Sequence, residues 1–282
     1  MSRWLLAAAL VLPLATAQAG ARLDKIKASG KITVAVAEDA APFAFRTKGG
    51  EPDGYSIELC RKAVASIQKQ LKLDKLQIAW APASTPERLK MVADGRADLE
   101  CGVTTHTLSR EANVGFSLPI FIDGGGILVP QGSPIVALPG LEGQKVAVVK
   151  GTTTEKRLTE LLKQRAIAGQ VLPAKDRKLA FAMLNSGEVQ AYAGDRAVLI
   201  GQALSTKTSA PGWTLLDLEI SYEPYAFAVP RDEPDLRLAV DRAIAETYRS
   251  RHIEDIYERW FGKFGPPQPL LRAMFILNRI PQ

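Results

Sequence analysis

One spacing occurs twice in this chain, about ninety residues apart, and it constrains the fold more than any other feature. Met91-x3-Gly95-x6-Gly102 is matched by Met183-x3-Gly187-x6-Gly194. In each copy a stretch of helical character stops at a glycine. A short strand-like run follows and ends at a second glycine. Glycine supplies the left-handed backbone that closes a helix and allows close approach beyond a strand. Each copy therefore has the form of an α/β unit, and two copies predict two α/β lobes. The 282 residues agree with this, because single cores stop growing at roughly 250–300 residues.

The flanking sequence repeats the layout. Lys31–Glu38 reads as an apolar strand, and Tyr55–Gln70 as a helix with Ile57, Leu59, Cys60, Val64 and Ile67 near one face. Leu76–Trp80 is a strand. Thr85-Pro86 opens a helix that runs to Asp94, with Thr85 as its N-cap and Pro86 in first position. Ala97–Cys101 completes a parallel β-α-β-α-β arrangement. The second unit reads as strand Lys145–Val149, helix Thr154–Gln164, strand Gln170–Pro173, helix Arg177–Ser186 and strand Val189–Ala193. The glycines of Ile122–Pro130 suit a crossing between lobes, and Glu219–Pro230 suits a return crossing. Helices over Glu233–Arg249 and His252–Phe261 follow, and Pro266-Pro267 breaks the chain before a short tail. The expected division is a signal peptide over 1–19, lobe one over 20–125, lobe two over 126–224, and a return to lobe one over 225–282.

Arg3, an apolar stretch over residues 4–16 and Ala17-Gln18-Ala19 make up the signature of a secretory signal peptide cut after Ala19. The expected location is a bacterial periplasm. No later run reaches the ~20 apolar residues of a membrane helix. The net charge of +6 is spread along the chain without a basic, aromatic-interleaved block, so nucleic acid is not an expected partner. Cys60 and Cys101 are the two cysteines. In an oxidising compartment an even pair points to a disulfide, and Cys60 sits on the helix expected to pack against the strand holding Cys101. Two buried thiols are the alternative. His106 and His252 are the only histidines, and the cysteines lack zinc-finger spacing. No metal or other cofactor is therefore expected.

In open α/β sheets, ligands bind outside the carboxyl ends of strands. Two facing units put Val103–Thr105 and Asp195 on opposite walls of one cleft. Residues 102–110 suit a carboxylate: Gly102 permits close approach, Thr104 and Thr105 carry hydroxyls, and Arg110 offers a two-pronged guanidinium. The plain alternative makes Thr105 a helix cap and Arg110 a surface charge. Lys150–Glu155, at the head of a helix, also suits an anion through Thr152 and Thr153, or is capping alone. Asp195 suits a ligand ammonium, or caps the helix after it. A cysteine–histidine catalytic site at Cys101 and His106 is the weaker reading, because a nucleophile needs a lowered pKa and an oriented base.

Several segments together carry a family likeness: LDKIKASGKITVAV, PFAF with GYSIELC, PERLKMVADGRADLECGVTTHTLSR, VVKGTTTE, AKDR, the strand into Gly194-Asp195, and YERWFGKFGPP. The chain resembles the periplasmic solute-binding proteins (family 3 type) of ABC importers for polar amino acids, especially the glutamate/aspartate-binding group. The resemblance implies a two-lobed periplasmic binding protein type II fold, α/β, with two crossing strands. It implies a monomer that closes on an amino acid and delivers it to a membrane permease. Arg110 would hold the α-carboxylate with Thr105, Thr152 and Thr153. Asp195 would hold the α-ammonium with the carbonyl of Val103, and Arg88 with Thr85 would reach the ligand side chain.

The sequence departs from that group at Ala37, where an arginine is expected, at Arg177, where a histidine is expected, and at Val103, where a serine is expected. Ala40 replaces the aromatic that basic amino-acid binders use, which argues against lysine or arginine as ligand. Two other functions fit the same fold. One is a periplasmic dehydratase that moves protons with Glu38, Asp39 or His106. The other is a ligand-sensing module.

Overall fold

The computed structural model describes residues 20–205 and 212–281. The expected signal peptide, 1–19, lies outside the described residues. Helix α1 (Ala21–Ser29) closes at Gly30, whose φ is 62°, and leads into strand β1 (Lys31–Val36). Strands β2 (Asp39–Ala40), β3 (Ala44–Arg46) and β4 (Pro52–Asp53) form a small antiparallel sheet between β1 and the next helix. Helix α2 (Tyr55–Gln70) has the expected bounds, and its buried Ile57, Cys60, Val64 and Ile67 recur at helical spacing. Strand β5 (Gln77–Pro82), helix α3 (Thr85–Ala93), strand β6 (Leu99–Cys101) and the single turn α4 (Leu108–Glu111) complete the first unit.

Strand β7 (Val114–Pro130) then crosses the molecule. Strand β8 (Lys145–Val149), helix α5 (Thr153–Gln164), strand β9 (Gln170–Ala174), helix α6 (Arg177–Asn185), strand β10 (Ala191–Asp195) and helix α7 (Arg196–Ser205) make the second unit. Strand β11 (Trp213–Leu215) pairs with β7, and β12 (Ser221–Pro230) crosses back beside it. Helices α8 (Pro234–Arg249), α9 (His252–Phe261) and α10 (Pro269–Leu277) finish the chain. The last lies in what the sequence suggested was only a tail. Among the described residues no helix is long and apolar enough to cross a membrane.

The large sheet runs β5-β1-β6-β12-β7-β10-β8-β9. In the first unit, β1 lies between β5 and β6, all parallel. In the second, β8 lies between β9 and β10, all parallel. Each unit thus places its first strand between its second and third, which is the repeat seen in the sequence. The helix-stopping glycines behave alike, with φ of 70° at Gly95 and 77° at Gly187. This is the left-handed cap that closes a helix. The antiparallel pair β7–β12 joins the halves, which is the two-lobed fold the sequence predicted.

Apolar burial explains which half is the more massive. One core gathers α2, α8, α9 and α10 against the first half, around Phe43, Tyr55, Phe121, Tyr225 and Phe261. Their rings meet edge-on or stacked, with centroids 4.8 to 6.2 Å apart, the favoured aromatic geometries. The second half carries smaller cores, centred on Val146 and Leu158 and on Ala147 and Leu184. The disulfide Cys60–Cys101 ties α2 to β6 across 41 residues, with Cα atoms 6.1 Å apart. The crossing strand β7 is gripped near its middle. Tyr55 and Tyr248 donate to the carbonyl of Ile120 at 2.7 and 3.1 Å, and Asn278 donates to that of Pro119 at 2.6 Å.

Candidate ligand cleft

The strand ends of the two halves face each other as the repeat predicts. The loop after β6 is strung along β12: the N–H of His106 donates to Pro224 O at 2.8 Å, and Ala226 N–H to Thr104 O at 3.2 Å. This fixes Thr105 opposite the head of α5. The Thr105 and Thr153 hydroxyl oxygens stand 3.3 Å apart. Both hydroxyls donate to Oε2 of Glu223, Thr153 at 2.6 Å. Ser221 donates to the other oxygen of Glu223 at 2.6 Å. Glu223 lies on β12 and is wholly buried. It was not among the residues singled out from sequence, and its run EISYEPYAFAVP gave no signal beyond that of a strand.

Arg110 lies on the wall below. One guanidinium N–H donates to Thr105 O at 2.7 Å. Among the described residues it makes no ion pair with a carboxylate. Burial lowers its pKa, and Glu223, Glu100 and Asp195 offset that only from a distance. Arg110 is partly buried rather than a surface charge. The helix cap here is Thr107, whose hydroxyl accepts the Arg110 N–H at 3.3 Å, and not Thr105.

Asp195 ends β10 on the opposite half. It accepts from Thr154 at 3.3 Å and likewise makes no ion pair among the described residues. Burial raises its pKa, and the charge of Glu223 adds to the rise. Asp195 directly precedes α7, and the N–H of Ala197 in the first turn of that helix donates to Asp123 at 3.1 Å. Asp123 sits directly across from Glu223 on β7. Burial, then the nearby Asp195, pushes its pKa up to about 7.

Thr152 caps α5. It accepts from Glu155 N–H at 3.2 Å and donates to Val149 O at 2.7 Å, while Glu155 accepts from Gly151 N–H at 2.6 Å. This is the capping arrangement weighed at the sequence level, and it uses the single proton of the Thr152 hydroxyl. Val103 is buried beside this wall.

The remaining sequence-predicted residues line a cavity of about 530 Å³ at the far end of the cleft. Arg88 is 1% exposed and donates to Glu100 at 2.7 Å, Ala83 O at 2.9 Å, and the hydroxyls of Thr85 and Thr104 at 3.3 Å. Thr85 lies inside the first turn of α3, and the N-cap position belongs to Ser84. Arg177 opens α6, and Asp39 of β2 crosses the cleft to meet it. The Arg177 N–H donates to one oxygen of Asp39 at 2.8 Å, and its guanidinium to the other at 3.2 Å. Burial pulls the Arg177 pKa down, but Asp39 and then Asp195 outweigh it and hold the pKa above the ordinary value.

Residues 32–263 match the bacterial extracellular solute-binding proteins, family 3. The chain is a member of that family. Over 271 residues this solute-binding protein is 32% identical to the L-glutamate/L-aspartate-binding protein of Pseudomonas aeruginosa, covering 96% of this chain and 89% of that one. It is 31% identical to the glutamate/aspartate import solute-binding protein of Salmonella typhimurium, covering 89% and 83%. Among solved structures it is similar to an ancestral arginine-binding protein bound to glutamine. The TM-score is 0.73 at 27% identity, over 83% of this chain and 98% of that one.

The cysteine and histidine of the first wall have separate tasks in this solute-binding protein. Cys101 is in the disulfide. His106 stacks on Phe116 with ring centroids 4.5 Å apart, and its Nε2 lies 3.0 Å from Glu111.

Proposed function

We propose that this protein is an exported, periplasmic binding protein that closes its two lobes on a polar α-amino acid and delivers it to an ABC permease. The lobes are 20–125 with 225–281, and 126–224. One observation carries the reading. Arg110 and Asp195 lie on opposite halves, each partly buried, and neither has an ion-pair partner among the described residues. A buried charge without a partner is costly. A zwitterion supplies both partners at once, its carboxylate to Arg110 and its ammonium to Asp195. The names of the glutamate/aspartate-binding relatives agree with an amino acid as ligand.

Binding is favoured over turnover by the names of the relatives, which are binding proteins, and the proton-moving candidates have partners within the chain. Glu38 pairs with Arg46, Asp39 with Arg177, and His106 with Glu111. Isothermal titration of the purified protein against the twenty amino acids tests the reading. Saturable heat with at least one of them, lost in Arg110→Ala, is the expected result, and no heat across the panel refutes it.

A further inference from the structure

The far end of the cleft holds two buried guanidiniums: Arg88, which the family resemblance offered to a ligand side chain, and Arg177, which stands where that group carries a histidine. Each is already matched by a carboxylate of the chain itself. Glu100 takes Arg88, and both groups are no more than 1% exposed. Asp39 takes Arg177 with both of its oxygens.

The Asp39 contact has the form expected of a bound ligand carboxylate. One oxygen receives a backbone N–H at the start of the nine-residue helix α6, and the other receives a guanidinium N–H. A helix N-terminus and an arginine fork each favour an anion. Asp39 belongs to the opposite half, so this anion reaches across the cleft and lines the same cavity as Thr85 and Arg88.

We propose that Asp39 fills, from within the protein, the position of a ligand side-chain carboxylate, and that the site selects an α-amino acid with a polar, uncharged side chain. This rests on the amino-acid reading above. A second carboxylate brought to this end meets guanidiniums that are each already paired, Arg88 with Glu100, Arg177 with Asp39 and Arg46 with Glu38, so it must compete with a carboxylate of the chain for each of them. Lys175 and Lys178 line the cavity too, but they are exposed, and pairing with exposed, hydrated lysines is weak. A carboxamide meets no such penalty. It donates to Asp39 and accepts from the hydroxyls of Ser84 or Thr85, which also face the cavity. Arg110 and Asp195, which make no ion pair among the described residues, match the zwitterionic end common to every α-amino acid.

The test is titration calorimetry at pH 7.5 with glutamine, asparagine, glutamate, aspartate, lysine and arginine, on the wild-type protein and on Asp39→Ala. The wild type is expected to bind an amide at least ten-fold tighter than its matching acid. Asp39→Ala, checked for native circular dichroism, is expected to narrow that ratio at least ten-fold by gaining affinity for the acid. Wild-type preference for an acid or a base overturns the inference and leaves the amino-acid reading standing. An unchanged ratio in folded Asp39→Ala also overturns it. Silence with all twenty amino acids overturns both. The wild-type preference is read even if the variant fails to fold.

Discussion

Thr105 and Thr153, from opposite halves of the molecule, place their hydroxyl oxygens 3.3 Å apart and give their protons to the same oxygen of Glu223. A threonine hydroxyl has one proton. With both protons committed, these hydroxyls face the cleft as acceptors. On the proposed reading, a ligand carboxylate is left chiefly to Arg110 and to backbone N–H groups.

Glu223 also raises the pKa of Asp195, second to burial. Asp195 holds an ammonium only when ionised, so affinity falls as the pH drops through that raised pKa. Glu223→Gln removes the neighbouring charge. The acid limb of a plot of log Kd against pH is expected to move to lower pH by about half a unit or more, since one unit is about 1.4 kcal/mol of interaction. Calorimetry between pH 4.5 and 8 measures it, and an unmoved limb would separate Glu223 from the ammonium site.

Arg88→Met is expected to act on folding before it acts on ligand choice. It strands the Glu100 carboxylate, which is fully buried and otherwise receives, among the described residues, the Thr104 hydroxyl at 2.8 Å. Breaking a buried pair from one side costs about 3–5 kcal/mol. The double variant Arg88→Met, Glu100→Leu removes the stranded charge and should recover most of that loss. Urea denaturation of the three proteins checks the order.

Asp123 gives a stability effect with a definite sign. Its pKa is pushed up to about 7, mainly by burial, from an ordinary value of 3.8. The native state then holds the proton more tightly than the unfolded chain, so stability falls as pH rises from about 4 to about 7. Asp123→Asn lacks that titration. Its stability relative to wild type should improve by roughly 1–3 kcal/mol between pH 4 and pH 8. Thermal melts across the range would show parallel curves if Asp123 does not titrate in this window.

Cys60→Ala with Cys101→Ala is expected to lower unfolding free energy by about 2–4 kcal/mol, as loops of this length do in the chain-entropy model. Ligand affinity should change little, because the bridge lies in the core behind β6. Denaturation and calorimetry on the same sample separate the two effects.

Much of the framework was legible because it is written in local patterns. The periodicity of Tyr55–Gln70 and His252–Phe261, and the apolar run Lys145–Val149, gave elements with the bounds observed. The paired glycines gave the repeat, and the compartment gave the disulfide. Part of the glycine signal had a cause that no pattern carries. A Cβ on Gly102 would stand 2.6 Å from Glu100 and 3.0 Å from Arg88, so that glycine answers to a buried ion pair. The Glu223 hydroxyl network was illegible because its members lie 118 and 70 residues from it along the chain. The caps at Ser84 and Thr107 were missed by one and two positions, since neighbouring hydroxyl residues carry the same propensity. The β2–β4 sheet has strands of two or three residues, too short to show a period.

The grip on β7 has a mechanical consequence. Tyr55, Tyr248 and Asn278 fasten the carbonyls of Pro119 and Ile120 to the larger half. The strand is thus a beam clamped near its middle. Beyond the clamp come Asp123 and three glycines, paired with β12 on one side and β10 on the other. There, added side chains would collide with Glu219, Ser221 and Arg196. The two halves therefore meet beside Asp123 and Glu223 through backbone that leaves no room for side chains. Asp195, at the end of β10, is paired with Gly125 in that same stretch.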